Sequence, residues 1–247
     1  MSGNNKMQDT KNINKWINRI EEEKIITKKD ITEISFDIIV DKTNDLIFRL
    51  LSKGIEWKLL EELVIDYFNN HNINLQEIYN WSSYNQNSAN SIFLLGYFNN
   101  RGIETSITQN FKKAFYWYEK AANNGNIMAV YNLGRCYKNG MGVKRDCNRA
   151  FKLLKQSAEG GYLRGITMLG VCYEIGVGTK IDKQKAFELY QKSANLGELV
   201  AQYNLGIMYE FGKGITKDIN KAIYWYGKCA EQGDQDAENR LVFLQHY

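Results

Sequence analysis

Residues 201–233 read AQYNLGIMYEFGKGITKDINKAIYWYGKCAEQG, and the chain repeats this pattern upstream. The segments AVYNLGRCYKNGMGV (129–143), GITMLGVCYEIGVGT (165–179) and AQYNLGIMYEFGKGI (201–215) align without gaps. Gly134, Gly170 and Gly206 are 36 residues apart, as are Ala150, Ala186 and Ala222, and Gly161, Gly197 and Gly233. An earlier copy, SIFLLGYFNNRGIET (91–105) with NFKKAFYWYEKAANNG (110–125), matches after a two-residue insertion in its loop. A half-copy, DAENRLVFLQHY (236–247), keeps Ala237 and Leu241 in phase. A fixed period of this length marks a stack of supersecondary units.

Each unit reads as two helices. In the first, Ala129, Val130, Leu133, Gly134 and Tyr137 share one arc at 3.6 spacing. A Gly-rich turn follows over 139–146. The second helix starts near Asp146, and Asp182 and Asp218 hold the same slot, where a carboxylate caps free N–H groups. Ala150, Phe151, Leu154 and Ala158 form its buried stripe, and Gly160-Gly161 ends the unit. Gly134 and Ala150 mark a close approach of antiparallel helices. One hairpin cannot bury its apolar face alone, so the units must stack into an extended α-solenoid.

These residues resemble a known family. The pattern A-x-Y-x-L-G-x-x-Y-x-x-G-x-G, then D-x-x-K-A and an aromatic-rich helix ending A-x-x-G, looks like the Sel1-like repeat, a tetratricopeptide-like module. The resemblance covers about 89–247, with units at about 89–125, 126–161, 162–197 and 198–233 and a half-repeat at 234–247. It implies an all-α, right-handed α-solenoid of stacked helix-turn-helix repeats, and a protein–protein interaction scaffold that gathers partners in signalling or quality control. The third unit departs from the pattern, with Gly165 where its neighbours have Ala129 and Ala201, and Thr167 where they have Tyr131 and Tyr203. On intrinsic propensity Gly165 weakens its helix by roughly 1 kcal/mol relative to Ala. The paired Cys of the secreted, cysteine-rich branch of the family are missing.

The first 88 residues are different in character. They hold 11 basic and 14 acidic groups, while 89–247 hold 21 basic and 14 acidic. Residues 1–30 read as a flexible segment with a short amphipathic helix at Ile13, Trp16, Ile17 and Ile20. Residues 31–88 read as an N-terminal helical cap over the open end of the solenoid, with Leu59, Leu60, Leu63, Val64 and Tyr67 inward on one helix. Cap and repeats together resemble the tail of large fungal-type kinases that carry such repeats. The kinase motifs themselves, a Gly-rich loop with a strand Lys, His-Arg-Asp and Asp-Phe-Gly, are absent from this sequence.

Composition narrows the chemistry. The chain has 247 residues, 32 Lys+Arg, 28 Asp+Glu, no Pro and only 2 His. The apolar content of 44% suffices for a core. No apolar run reaches membrane-spanning length. The N-terminal MSGNNKMQDT lacks the apolar core of a secretory signal. Cys136, Cys147, Cys172 and Cys229 show neither CxxC nor a His at ligand spacing, so no metal and no cofactor is expected, and a cytoplasmic location is.

Several features imitate active-site motifs. Gly140-Met141-Gly142, Gly176-Val177-Gly178 and Gly212-Lys213-Gly214 lack the strand that a phosphate loop requires and recur as turns. His71 and His246 stand in opposite terminal regions. Cys136 and Cys172 share a slot with Met208, which asks for a soft apolar group. Tyr116-Trp117-Tyr118 and Tyr224-Trp225-Tyr226 occupy slots that Phe151 to Leu154 fill elsewhere, as packing demands. An active site should appear once and break the pattern; these features recur, so no catalytic residue is assigned.

The candidate site is instead a stripe on the first helices. Tyr131, Arg135 and Lys138, then Thr167, Val171 and Glu174, then Tyr203, Ile207 and Glu210 lie opposite the buried arc, on the side the resemblance implies is concave. Such a stripe suits an extended peptide held by apolar contacts and steered by charge. Packing of Tyr131 and Tyr203 on neighbouring units is the alternative. A basic patch adds Lys144, Arg145, Arg149, Lys152 and Lys155, so an acidic protein or peptide partner is expected. A polyanion-binding module through this second repeat is the runner-up, ahead of a hydrolase or a degenerate kinase-associated protein. Nucleic acid is disfavoured because no recognition motif appears.

Overall fold

The computed structural model describes residues 36–52, 57–70, 72–102 and 109–245. The expected amphipathic helix around Trp16, together with His71 and His246, lies outside the described residues. Among the described residues there are twelve α-helices and no strand. Three precede the repeats: α1 (Phe36–Ser52), α2 (Trp57–Asn70) and α3 (Leu75–Tyr84). The four repeats are α4 (Ala89–Arg101) with α5 (Phe111–Asn123), α6 (Ile127–Asn139) with α7 (Cys147–Glu159), α8 (Leu163–Ile175) with α9 (Lys183–Asn195), and α10 (Leu199–Phe211) with α11 (Ile219–Ala230). The half-repeat is α12 (Gln235–Gln245). From α3 to α12 each helix packs on the next, which makes the described residues an all-α solenoid.

The second helices start where the aspartates are. Asp146 accepts from the Arg149 N–H at 2.9 Å, Asp182 from Lys185 at 3.0 Å, Asp218 from Lys221 at 3.0 Å, and Asn110 does the same for Lys113 at 3.0 Å. The cationic side chain three residues on returns to the carboxylate in all three aspartate repeats. It also lies over a tyrosine of the preceding helix: Arg149 over Tyr137, Lys185 over Tyr173, Lys221 over Tyr209. The first helices stop at a left-handed glycine, such as Gly140 with φ 73°, which frees the last carbonyls to be capped.

Within a repeat, the glycine of the first helix meets a large side chain of the second. A Cβ on Gly206 would stand 2.5 Å from the Tyr226 ring, and one on Gly134 would stand 2.9 Å from Leu154. Between repeats, an aromatic of the second helix meets edge-on the tyrosine of the next first helix. Phe115–Tyr137, Phe151–Tyr173 and Phe187–Tyr209 have centroids 5.4, 5.5 and 5.6 Å apart. The expected arc from Ala129 to Tyr137 is buried throughout, as are Ala150, Leu154 and Ala158, with Phe151 half-buried. Tyr118 and Tyr226 fill the core, whereas Tyr116 and Tyr224 stay exposed on the outer surface.

First helices are the more enclosed: nine residues of α6 are buried against four of α7. One cause lies before the repeats. Helix α3 packs on α4 at the end of the stack, where a cover is expected. Helix α1 goes further. It touches α4 of the first repeat and α8 of the third, and so runs across the face made by the first helices. At 17 residues α1 is about 25 Å long, enough to cross two helix spacings of roughly 8–10 Å each.

Candidate partner-binding face

Of the nine stripe residues, three do not present themselves to a partner. Tyr131 is 3% exposed, its ring edge-on to Tyr162 at 5.2 Å. Thr167 is buried and donates its hydroxyl to Glu198 Oε2 at 2.8 Å. Glu210 is buried, accepting from the Tyr226 hydroxyl at 2.8 Å and paired with Arg240. The expectation that all nine line an open surface is corrected for these three. A one-dimensional stripe does not reveal that Tyr162, Glu198 and Arg240 of α12 cover part of it.

The other six keep partial access. Arg135 lies over the Tyr131 ring at 5.8 Å, and Lys138 is half-buried one turn on. Val171 packs on the core between the third and fourth repeats, and Ile207 on the core between the fourth and the half-repeat. Glu174 accepts from the Tyr190 hydroxyl at 2.8 Å. Burial, with the Glu174 charge beside it, holds the Tyr190 phenol neutral, well above its ordinary value. Tyr203 is half-buried, tilted against Tyr226 with centroids 5.4 Å apart. The surviving face therefore offers two aliphatic side chains and one tyrosine, flanked by cations in the second repeat and a carboxylate in the third.

The basic residues divide. Lys144 and Arg145 sit in the turn after α6, and Arg149, Lys152 and Lys155 on α7; all five are exposed. Arg149 is committed to its cap carboxylate and to the Tyr137 hydroxyl at 3.1 Å, and Lys155 pairs with Glu159. Arg149 therefore does in the second repeat what Lys185 and Lys221 do in the third and fourth.

Three of the four cysteines are buried and poor nucleophiles. Burial pushes the Cys136 and Cys172 thiols up to about 11 and Cys229 up to about 12. Cys229 donates to the Leu199 carbonyl at 3.2 Å. Among the described residues no group of His, Cys, Asp and Glu is arranged to hold a metal ion. No helix among them is long and apolar enough to cross a membrane.

The same face holds residues that the sequence pattern alone did not single out. Arg164 Nε donates to the Leu51 carbonyl at 2.7 Å, across 113 residues of chain. Phe48 lies against Tyr162 at 5.6 Å. Asn90 bonds Asp41 at 2.9 Å, and its carbonyl accepts from Asn44 at 3.2 Å. A signal was available: Arg164 stands where the neighbouring repeats have Met128 and Val200, and Tyr162 where they have Asn126 and Glu198.

The Sel1 repeat family matches residues 89–126, 127–162, 164–198 and 199–234. The chain belongs to the Sel1 repeat family. It is similar to a Sel1 repeat protein from Oxalobacter formigenes, at 28% identity over 82% of this chain and 73% of that one, with a TM-score of 0.59. It is also similar to c5321, a protective antigen of uropathogenic Escherichia coli strains that displays an SLR fold, at 28% identity and a TM-score of 0.60. That match covers 75% of this chain and 40% of the antigen. No curated protein matches the chain. Sel1 repeat proteins are generally protein-interaction scaffolds, and this solenoid has the architecture of one.

Proposed function

We propose that this Sel1 repeat protein is a non-catalytic adaptor that holds a segment of a partner protein against the first-helix face of its second to fourth repeats. One observation carries the reading. Val171 and Ile207, at one slot of successive first helices, and Tyr203, one turn before Ile207, remain partly exposed, although most of each first helix is buried. Half-exposed apolar side chains in a row suit a ligand that runs along the stack. Lys138 and the exposed Lys144, Arg145 and Lys152 favour an acidic segment, whose approach they would steer. Four unpaired thiols, three of them buried, suit a reducing compartment, which supports a cytoplasmic location and work in signalling or quality control.

The test is affinity capture from native extract with wild type and with Lys138→Glu/Arg145→Glu/Lys152→Glu. These side chains carry no cap and no ion pair among the described residues, so the helical content and Tm should be unchanged. Capture should fall roughly tenfold or more, the equivalent of about 1.4 kcal/mol. Undiminished capture rejects the acidic partner. Binding of both proteins to heparin, lost only in the variant, would transfer the site to the polyanion reading.

A further inference from the structure

Helix α1 is amphipathic in its own right. Its sequence FDIIVDKTNDLIFRLLS places Val40, Asn44, Ile47 and Leu51 on one side, each nearly or wholly buried. That side rests on the first helices of the first and third repeats. The seat has polar ends and an apolar middle. At one end Asn90 holds Asp41 and Asn44; at the other Arg164 takes the carbonyl of Leu51, in the last turn of α1. A cation there answers both the unpaired carbonyls and the negative end of the helix.

The repeats themselves are altered to make this seat. Asn90, Met128, Arg164 and Val200 occupy one slot in four successive units. The slot is polar where it meets the middle of α1 in the first repeat and the last turn of α1 in the third, and apolar in the repeat between them; Val200, in the fourth repeat, is exposed. Tyr162 takes the slot of a capping residue and caps nothing; its ring packs between Phe48 and Tyr131. Thr167 replaces the tyrosine that would otherwise stand one turn further along α8. The departures of the third repeat thus cluster at the end of α8 that receives α1.

We infer that α1 is a ligand carried in cis, and that the natural partner of this face is an amphipathic helix which competes with it. The inference deepens the scaffold reading and rests on it. The partner helix would present aliphatic or small polar side chains at the spacing of Val40, Asn44, Ile47 and Leu51, and would end its last turn on Arg164. A ligand on the same chain meets its seat at an effective concentration on the order of millimolar. The seat is therefore closed by default, and a helix in trans gains in apparent affinity by the fraction opened.

The experiment uses the full chain and a labelled synthetic peptide of residues 36–52. Ile47→Asp/Leu51→Asp in the chain unseats α1 and leaves every repeat residue unchanged. Fluorescence anisotropy should show the peptide binding this chain at least about tenfold more tightly than wild type. The same two substitutions placed in the peptide should abolish binding. Equal binding to both chains, or none to either while circular dichroism shows the repeats folded, overturns the inference. If the unseated chain does not fold, hydrogen exchange on wild type decides. Amides of 36–52 exchanging faster than those of α6 to α9 support a displaceable helix, and equal protection overturns it. The peptide assay uses no partner, so its failure leaves partner capture standing. Failed capture beside successful peptide binding would remove the scaffold reading alone.

Discussion

At the scale of single residues, Glu198 shows how a side chain that reads as polar surface becomes structural. It is wholly buried at the start of α10, where Oε2 accepts from the Ala201 N–H at 2.7 Å and from Thr167 at 2.8 Å. Oε1 has no hydrogen-bond partner among the described residues. Burial raises its proton affinity above the ordinary carboxyl value, and the Arg164 charge offsets part of the rise. The folded state then binds the proton more tightly than the unfolded chain. Its contribution is fully present below about pH 4.5 and is lost as pH rises through the folded value. Glu198→Gln keeps an acceptor at the cap and removes the titration. Thermal melts from pH 4.5 upward should show wild type losing stability relative to the variant; a difference independent of pH would reject the assignment. The caps of Asp146, Asp182 and Asp218 were legible because an acidic residue recurred before each helical stripe. Glu198 was not, since its slot holds Asn126 and Tyr162 in other repeats and only the fold shows what closes over it.

Helix pairs carry the next lesson, and Gly165 tests it. Propensity alone says that Ala would strengthen α8 at this position. The packing says otherwise: a Cβ there would stand 2.5 Å from Ser157 Oγ and 2.9 Å from the Ser157 backbone carbon. The hydroxyl can rotate, but the backbone of α7 cannot yield without moving the helix. Overpacking a close crossing costs about 1–3 kcal/mol, which exceeds the roughly 1 kcal/mol gained in propensity. Gly165→Ala should therefore lower Tm, and the double variant Gly165→Ala/Ser157→Gly should recover little of the loss, because the backbone carbon stays in place. A rise in Tm for the single variant would show that α7 and α8 separate freely. The helices, their order and their glycine contacts were readable from the period of 36, because packing of identical units must recur with the unit. Burial of Tyr131 and Thr167 was not readable, because their partners Tyr162 and Glu198 share a slot whose residue changes from repeat to repeat.

Over the whole molecule, two kinds of contact compete to set how disturbance spreads. The repeat helices pack mainly on their sequence neighbours, so stability should be close to a sum of local terms and a lesion should stay local. Helix α1 is the exception, because it joins the first repeat to the third. Two lesions separate the contributions. Gly206→Ala forces a methyl into the Tyr226 ring within the fourth repeat. Tyr162→Leu removes the ring that meets Phe48 and Tyr131. Hydrogen exchange read by mass spectrometry should rise after the first change in α10, α11 and their immediate neighbours, with α4 unaffected. After the second it should rise in α8 and also in 36–52 and α4, two repeats away. Such a rise passes through α1, because α4 and α8 are otherwise linked only through the three helices between them, α5, α6 and α7. If α4 stays protected in both variants, α1 transmits nothing and the solenoid is one-dimensional throughout. If both lesions reach α4 equally, the stack unfolds as one unit and the nearest-neighbour account fails.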